Sequence, residues 1–188
     1  MAVRSPILVL ASASPRRREI LRHAGIAFRA RPSRIAETLR PREKPRAQVL
    51  RMAREKAAAV RRPGERVLGA DTVVVAGRGI LGKPRDARDA ARMLRLLSGK
   101  RHRVITGVCL LSPRRAFSGA VETQVWFRRL TGTEIDAYVA SGEPLDKAGA
   151  YAIQGRASKF VTRIEGCYFN VMGLPVALVY EWLRRLNR

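Results

Sequence analysis

The sequence predicts an α/β protein, because strand patterns and helix patterns alternate along its 188 residues. The apolar run Ile7–Leu10 predicts a strand, followed by a small-residue turn and a helix that starts at Pro15. Residues 47–61 carry apolar side chains at helical spacing, and Val67–Val75 predicts a buried strand. A hydrophobic fraction of 46% is typical of a globular protein, and the length suits one domain over residues 1–188.

The first turn, Ala11–Ser14, leads into a predicted helix that ends at Gly25. Ser14 is a good N-cap, and a helix N-terminus offers unpaired N–H groups and partial positive charge. Arg16, Arg17 and Arg18 follow directly. This arrangement suits a phosphate group, although an ordinary turn with a solvated basic face has the same sequence pattern.

The composition limits the class of partner. The formal net charge of +23 indicates nucleic acid, anionic surfaces or phosphorylated small molecules, but there is no basic tail and aromatic residues make up only 6%. No apolar run approaches the length of a membrane span, and we expect no signal peptide. Two cysteines, Cys109 and Cys167, form no disulfide or metal pattern, which favours the cytoplasm.

Two charged residues stand in apolar patterns. Lys56 lies on the same helical seam as Val49, Ala53 and Val60, where it either reaches into a site or, more commonly, extends past the edge of the core. Asp71 lies in the middle of the second strand, where a carboxylate is costly unless it is paired or binds a cation. A solvated edge or a structural salt bridge would explain Asp71, but the cost of burying a carboxylate favours a functional role.

The stretch Gly77–Pro84 has the glycine and lysine spacing of a phosphate-binding P-loop. That loop requires Ser or Thr after the lysine, and here Pro84 follows Lys83. We therefore interpret this stretch as a hairpin about Gly77–Gly79 that brings Lys83 near the strand of Asp71.

The remaining elements follow from turn and capping signals. Residues 29–46 read as a loop or edge segment. The pattern then predicts a helix capped by Asp86 or Asp89, followed by strands over 102–111 and 116–127. A capping box at 131–134 starts the next helix, and a polar loop over 143–155 follows it. The chain ends with a predicted strand over 160–164, a turn through Asn170 and a last helix opened by Gly173–Pro175.

Several motifs, in this order, resemble the Maf nucleotide pyrophosphatases over nearly the whole chain. They are Ala11–Arg17, Gly69–Val74, Gly82–Pro84, Ser98–Thr106, Asp146–Gly155 and Gly173–Pro175. The resemblance implies an α/β fold with a long mixed sheet flanked by helices, two lobes with a central cleft, and often a homodimer. It also implies cleavage of nucleoside triphosphates to monophosphate and pyrophosphate.

The segment 146–155 resembles the branch of the family that acts on dTTP and UTP. On that resemblance Asp71 is the catalytic residue, and the specificity positions are Arg16, Thr72 and Gln154. Glu37, Lys56 and Lys83 match further residues of the cleft. This chain departs from the family in the segment before Glu37, which is usually richer in acidic residues and here contains Arg34 and Ala36.

The chemistry expected of these residues is hydrolysis at the α-phosphorus. Ser12, Ser14, Arg16 and Arg17 would hold phosphate oxygens, with Lys56 and Lys83 as point charges. Asp71 would accept a proton, bind Mg²⁺ or Mn²⁺, or do both, with Glu37 as a second metal ligand.

Gln154 carries a donor and an acceptor for the edge of uracil or thymine, although a surface amide is the ordinary role of such a residue. The alternatives are hydrolysis of 7-methyl-GTP, a modified pyrimidine substrate, a P-loop NTPase, and a basic protein that binds nucleic acid.

Overall fold

The computed structural model describes residues 7–36, 38, 40–77 and 79–187. Its strands are β1 (Leu8–Leu10), β2 (Phe28–Ala30), β3 (Arg66–Ala76), β4 (Gly79–Leu81), β5 (Arg101–Leu111), β6 (Ala116–Phe127) and β7 (Val161–Glu165). Its helices are α1 (Pro15–His23), α2 (Pro45–Val60), α3 (Ala87–Leu97), α4 (Gly132–Ala140), α5 (Tyr168–Met172) and α6 (Val176–Leu186). Three short 3-10 turns lie between Glu143 and Phe160.

The described strands form one mixed sheet of seven, in the order β2-β1-β3-β5-β6-β7, with β4 paired to β3. Strand β1 runs parallel to both β2 and β3, and Leu10 pairs with Leu68. Strands β3 and β4 are antiparallel, as are β6 and β7. Helices flank this sheet, so the predicted α/β class is confirmed.

The described chain divides into two compact units. The first contains the residues up to Asp71, Thr106–Val121, and the residues from Gly173 onward. The second contains Thr72–Ile105 and Glu122–Met172. The single domain and the central cleft stay predictions.

In the first unit, helix α2 packs very closely on the sheet. A Cβ atom added at Gly69 of β3 would lie 2.0 Å from the carbonyl oxygen of Ala53. One added at Gly107 of β5 would lie 2.3 Å from the carbonyl oxygen of Val49. Glycine at both positions therefore lets the helix backbone approach the strands directly. The core beneath it consists of Val9, Ala11, Ala53, Ala57, Val67, Cys109 and Leu111.

In the second unit, aromatic rings form the centre of the core. The ring of Phe127 contacts those of His102, Tyr151 and Phe160 at centroid distances of 5.0, 4.9 and 6.1 Å. Tyr138 of α4 packs edge-on against Phe160 at 5.4 Å. Edge-to-face rings add favourable quadrupole contacts to the burial of their area.

Most predicted elements are confirmed, with boundary shifts of a few residues. Asp86 caps α3, since its carboxylate accepts from the N–H of Asp89, and the capping box of Thr131 and Glu134 is present. The segment 29–46, predicted as a loop or edge segment, contains most of the edge strand β2, and its last two residues already belong to α2. The predicted turn through Asn170 is wrong, because residues 168–172 form the short helix α5. Asn170 there donates to the carbonyl of Val104 at 3.0 Å and to the Thr123 hydroxyl at 2.9 Å.

None of the helices in the described ranges has both the length and the apolar character needed to cross a membrane. Cys109 is a buried free thiol and Cys167 is a half-buried one.

Candidate active site

The turn between β1 and α1 is held by its own side chains. The N–H of Ser14 donates to the buried Oγ of Ser12 at 3.2 Å. The N–H of Arg17 donates to Oγ of Ser14 at 3.5 Å, so Ser14 is the N-cap that the sequence predicted. These contacts fix the first turn of α1, where N–H groups face outward.

Arg17 links this turn to the far end of the chain. Its Nε donates to the carbonyl of Gly173 at 2.8 Å, and its Nη1 donates to Oγ of Ser12 at 3.0 Å. Its guanidinium therefore positions the turn besides offering charge to a phosphate. Arg16 is half-buried on the same turn.

Lys56 and Asp71 form a buried ion pair. Nζ of Lys56 lies 2.7 Å from Oδ1 of Asp71, and each residue is only 7% exposed. The common expectation for Lys56, a side chain that extends past the edge of the core, is therefore wrong. The two side chains meet because Asp71 lies, together with Val67 and Gly69, on the face of β3 that α2 covers.

The turn and the ion pair belong to the same unit. Leu10, the last residue of β1, pairs with Leu68, and the N–H of Ala11 donates to the carbonyl of Leu68 at 2.8 Å. Asp71 follows three residues later on β3, about 10 Å further along the strand. The structure thus brings Ser12, Ser14, Arg17, Lys56 and Asp71 into one unit.

Three predicted residues belong to the second unit. Thr72 is half-buried in β3, directly after Asp71. Lys83 is exposed beyond β4, and the predicted hairpin is confirmed by the pairing of Ala76 with Gly79. Gln154 is exposed in a turn that follows the buried residues Tyr151–Ile153.

Lys83 and the Gln154 segment are connected within that unit. The N–H of Gly149 donates to the carbonyl of Gly82 at 3.0 Å. Gly149 has a φ of +72°, and a Cβ there would lie 2.8 Å from a methyl group of Val74. Only glycine satisfies both requirements without strain.

The metal prediction names Glu37 and Asp71. Glu37 lies outside the described residues. Among the described ranges, no group of three or more His, Cys, Asp or Glu side chains is placed to hold a metal ion. One or two carboxylates are nevertheless enough for Mg²⁺ when substrate phosphates and water supply the other oxygens, so Asp71 fits that kind of site.

Three residues that hold the segment around Gln154 were not singled out from sequence. Tyr138 and Glu143 hold the backbone on either side of it, and His102 contacts the hydroxyl of Tyr151 through Nε2 at 2.9 Å. Burial lowers the pKa of His102 to about 4 and raises the pKa of the Tyr151 hydroxyl. The capping box does predict the helix of Tyr138, but no local signal predicts what its hydroxyl contacts.

Together these features define an α/β protein with a basic strand-to-helix turn and a buried lysine–carboxylate pair, an arrangement suited to phosphorylated ligands. The model of the family described as Maf-like protein matches residues 7–186. The chain therefore belongs to the Maf-like family.

Curated relatives match along almost their whole length. A protein of Anaeromyxobacter dehalogenans named dTTP/UTP pyrophosphatase is 56% identical over 185 residues, covering 96% of this chain and 94% of the relative. Proteins with the same name from Koribacter versatilis and Moorella thermoacetica are 51% and 52% identical over 180 residues. These two alignments cover 95% and 94% of this chain and 93% of each relative.

Proposed function

We propose that this protein hydrolyses dTTP and UTP at the α-phosphorus, releasing nucleoside monophosphate and pyrophosphate. The observation that carries the proposal is the buried pair of Lys56 and Asp71 in the unit that also holds the Ser12–Arg17 turn. A charged pair in this setting costs desolvation energy, which favours a role in chemistry over one in stability. The names of the relatives supply the substrate class.

In the proposed reaction, a water oxygen forms a bond to the α-phosphorus. The bond from that phosphorus to the bridging oxygen of the β-phosphate breaks, and pyrophosphate leaves with the electron pair. Asp71 accepts the proton of the attacking water. The turn N–H groups, Ser12 and Arg17 bind phosphate oxygens, and Lys56 keeps the Asp71 side chain in place through its 2.7 Å contact.

A divalent cation is part of the proposal. Asp71 and Glu37 would hold Mg²⁺ or Mn²⁺, which when bound neutralises charge on the triphosphate. EDTA should abolish hydrolysis, and added Mg²⁺ or Mn²⁺ should restore it. Full activity in EDTA would contradict the cation requirement and leave the substrate assignment standing.

The resemblance supports substrate contacts for Arg16, Thr72, Lys83 and Gln154. In this proposal Gln154 contacts the N3–H and O4 edge of the base through its amide. We further propose that the protein acts in the cytoplasm, in keeping with its free cysteines, and that it forms a homodimer.

The test is a nucleotide panel assayed in ¹⁸O-labelled water. UTP, dTTP, CTP, ITP, GTP and 7-methyl-GTP are supplied with Mg²⁺ or Mn²⁺, and the products are identified by mass. We expect pyrophosphate with the label on the monophosphate, and about a thousandfold lower kcat/KM for Asp71→Asn. Orthophosphate as the first product, or an unimpaired Asp71→Asn enzyme, would overturn the proposal. A preference for 7-methyl-GTP would overturn only the pyrimidine assignment.

A further inference from the structure

The backbone of the turn that carries Gln154 is fixed, although its side chain is exposed. The preceding residues Tyr151, Ala152 and Ile153 are all buried. The N–H of Gly155 donates to the carbonyl of Ala152 at 3.0 Å and closes the turn. The glutamine is thus presented from a backbone with little freedom to move.

Two side chains hold this backbone at positions two residues before and two residues after Gln154. The hydroxyl of Tyr138 accepts from the N–H of Ala152 at 3.1 Å in a buried contact. The carboxylate of Glu143 accepts from the N–H of Arg156 at 3.1 and 3.3 Å. We call Tyr138 and Glu143 the Gln154 clamp.

The Glu143 carboxylate lies close beside the residue that follows the glutamine. A Cβ atom added at Gly155 would lie 1.7 Å from Oε1 of Glu143. The backbone of Glu143 is itself held, because its N–H donates to Oγ of Ser141 at 3.3 Å and its carbonyl accepts from Nζ of Lys147 at 2.7 Å. The Glu143 carboxylate therefore fills the space beside Gly155, and a side chain at position 155 would displace it.

Tyr138 is also held in place by its surroundings. Its ring packs against Phe160 at 5.4 Å, and its helix α4 begins with the capping box of Thr131 and Glu134. Ser141, at the end of α4, donates its hydroxyl to the Tyr138 carbonyl at 2.6 Å. The Tyr138 hydroxyl is therefore a fixed acceptor for Ala152.

Hydrogen bonding by Gln154 does not by itself select a pyrimidine. Uracil and thymine present an N–H beside a carbonyl, but hypoxanthine and guanine present the same pair on their six-membered ring. A purine places that pair further from the sugar because its second ring intervenes. Separation of the two classes therefore requires that the amide be held at a set distance.

We propose that Tyr138 and Glu143 are positioning residues for base selection, and that they act on Gln154 through the N–H groups of Ala152 and Arg156. The inference rests on the proposed function, because it takes Gln154 as the residue that contacts the base. A clamped turn accepts the smaller pyrimidine and excludes the purine. When these hydrogen bonds are lost, the turn moves away from the base, and both a pyrimidine and a purine are accepted.

The readout is the ratio of kcat/KM for UTP to kcat/KM for ITP. ITP carries the same donor and acceptor pair as UTP and lacks the amino group of guanine. Tyr138→Phe removes one hydroxyl and retains the ring, but leaves a buried N–H without its acceptor. We expect this ratio to fall about tenfold, chiefly through a higher kcat/KM for ITP, which the loosened turn no longer excludes. Tyr180→Phe, which loses a hydroxyl from a residue that is 55% exposed, is the matched control.

Glu143 offers a test of rescue. Glu143→Ala removes the acceptor for the Arg156 N–H and should lower the UTP to ITP ratio about fivefold. Glu143→Gln retains an amide oxygen at that point and should recover most of the ratio. Equal losses in both variants would contradict the role assigned to this hydrogen bond.

A double-mutant cycle shows whether the clamp acts through Gln154. In a Gln154→Ala background, Tyr138→Phe should change the UTP to ITP ratio no further. Two results would overturn the inference: an undiminished effect of Tyr138→Phe in that background, or an unchanged ratio in Tyr138→Phe alone. The proposed function would still stand in either case if the wild-type protein releases pyrophosphate from UTP. Wild-type protein that releases no pyrophosphate from UTP would overturn the proposed function and this inference with it.

Discussion

The candidate functional side chains Ser12, Arg17, Lys56 and Asp71 of the first unit hold one another, whereas Gln154 of the second unit is held through its backbone. Lys56 contacts Asp71 at 2.7 Å, and Arg17 contacts Ser12 at 3.0 Å. Gln154 is exposed, and its neighbours Ala152 and Arg156 are held by Tyr138 and Glu143. In the first unit the charged residues therefore also hold one another in position. In the second unit, Tyr138 and Glu143 fix the position of a different residue, Gln154.

This difference has a physical reason. A phosphate is recognised through charge, and charged groups that are partly buried require partners at all times. A base edge is recognised by neutral hydrogen bonds at a set distance, which a buried scaffold provides without burying the glutamine. We expect substitutions of Arg17, Lys56 and Asp71 to affect stability and all substrates, and those around Gln154 to affect choice among substrates.

The largest expected effect is that of breaking the ion pair from one side. Lys56→Met leaves the buried Asp71 carboxylate without its partner and should lower the free energy of unfolding by about 4 kcal/mol. Urea denaturation measures this loss. Lys100→Met, at an exposed position, should change stability by less than about 0.5 kcal/mol.

The double variant Lys56→Met, Asp71→Asn sharpens that result. With both charges removed, no buried carboxylate is left uncompensated, and stability should recover part of the loss. A double variant as unstable as the sum of its two single variants would contradict the coupling between these residues.

Close packing of helix α2 gives the next effect. A Cβ at Gly69 would lie 2.0 Å from the carbonyl oxygen of Ala53 and 2.8 Å from the nitrogen of Ala57, both backbone atoms. Gly69→Ala should therefore displace α2 and cost about 3 kcal/mol of unfolding free energy. Gly132→Ala, where the added Cβ meets no atom within 4 Å, should change stability by under about 1 kcal/mol. Equal stability of Gly69→Ala and wild type would show that α2 does not pack as described.

Several of these features follow from local sequence. Ser14 as N-cap, the capping box at Thr131 and the hairpin after β3 depend on residues a few positions apart, so pattern alone predicts them. Asp71 in an apolar strand also signals its own importance through the cost of burying a carboxylate.

The partners of the functional residues could not be predicted in the same way. Lys56 and Asp71 are 15 residues apart, and Arg17 and the Gly173 carbonyl are 156 apart. Their contacts depend on how α2 and α6 pack, which helical spacing does not specify. Tyr138 reads as a core residue of α4, and only the fold shows that its hydroxyl reaches the Ala152 N–H.

Substitution of Arg17 by lysine distinguishes the effect of its charge from that of its hydrogen bonds. Arg17→Lys keeps the positive charge but cannot make both the Gly173 and the Ser12 contacts. We expect kcat/KM to fall about a hundredfold, or about 2.7 kcal/mol, by the same factor for UTP and for ITP. Steady-state kinetics with both nucleotides measures this, and Arg22→Lys in the last turn of α1 is the control. A change confined to one nucleotide would contradict the contrast with Gln154.

The smallest effect concerns the aromatic scaffold of the second unit, which consists of His102, Phe127, Tyr151 and Phe160, and its response to acid. Burial lowers the pKa of His102 from 6.5 to about 4, so the folded protein keeps it neutral while the unfolded chain binds a proton as the pH falls below 6.5. Stability should therefore fall on acidification, by about 2 kcal/mol between pH 7 and pH 5. His102→Gln retains a polar partner for Tyr151 and does not titrate, so its unfolding free energy should change about 2 kcal/mol less over that interval. Parallel urea denaturation at the two pH values compares them, and an equal loss in both proteins would place the acid sensitivity outside this scaffold.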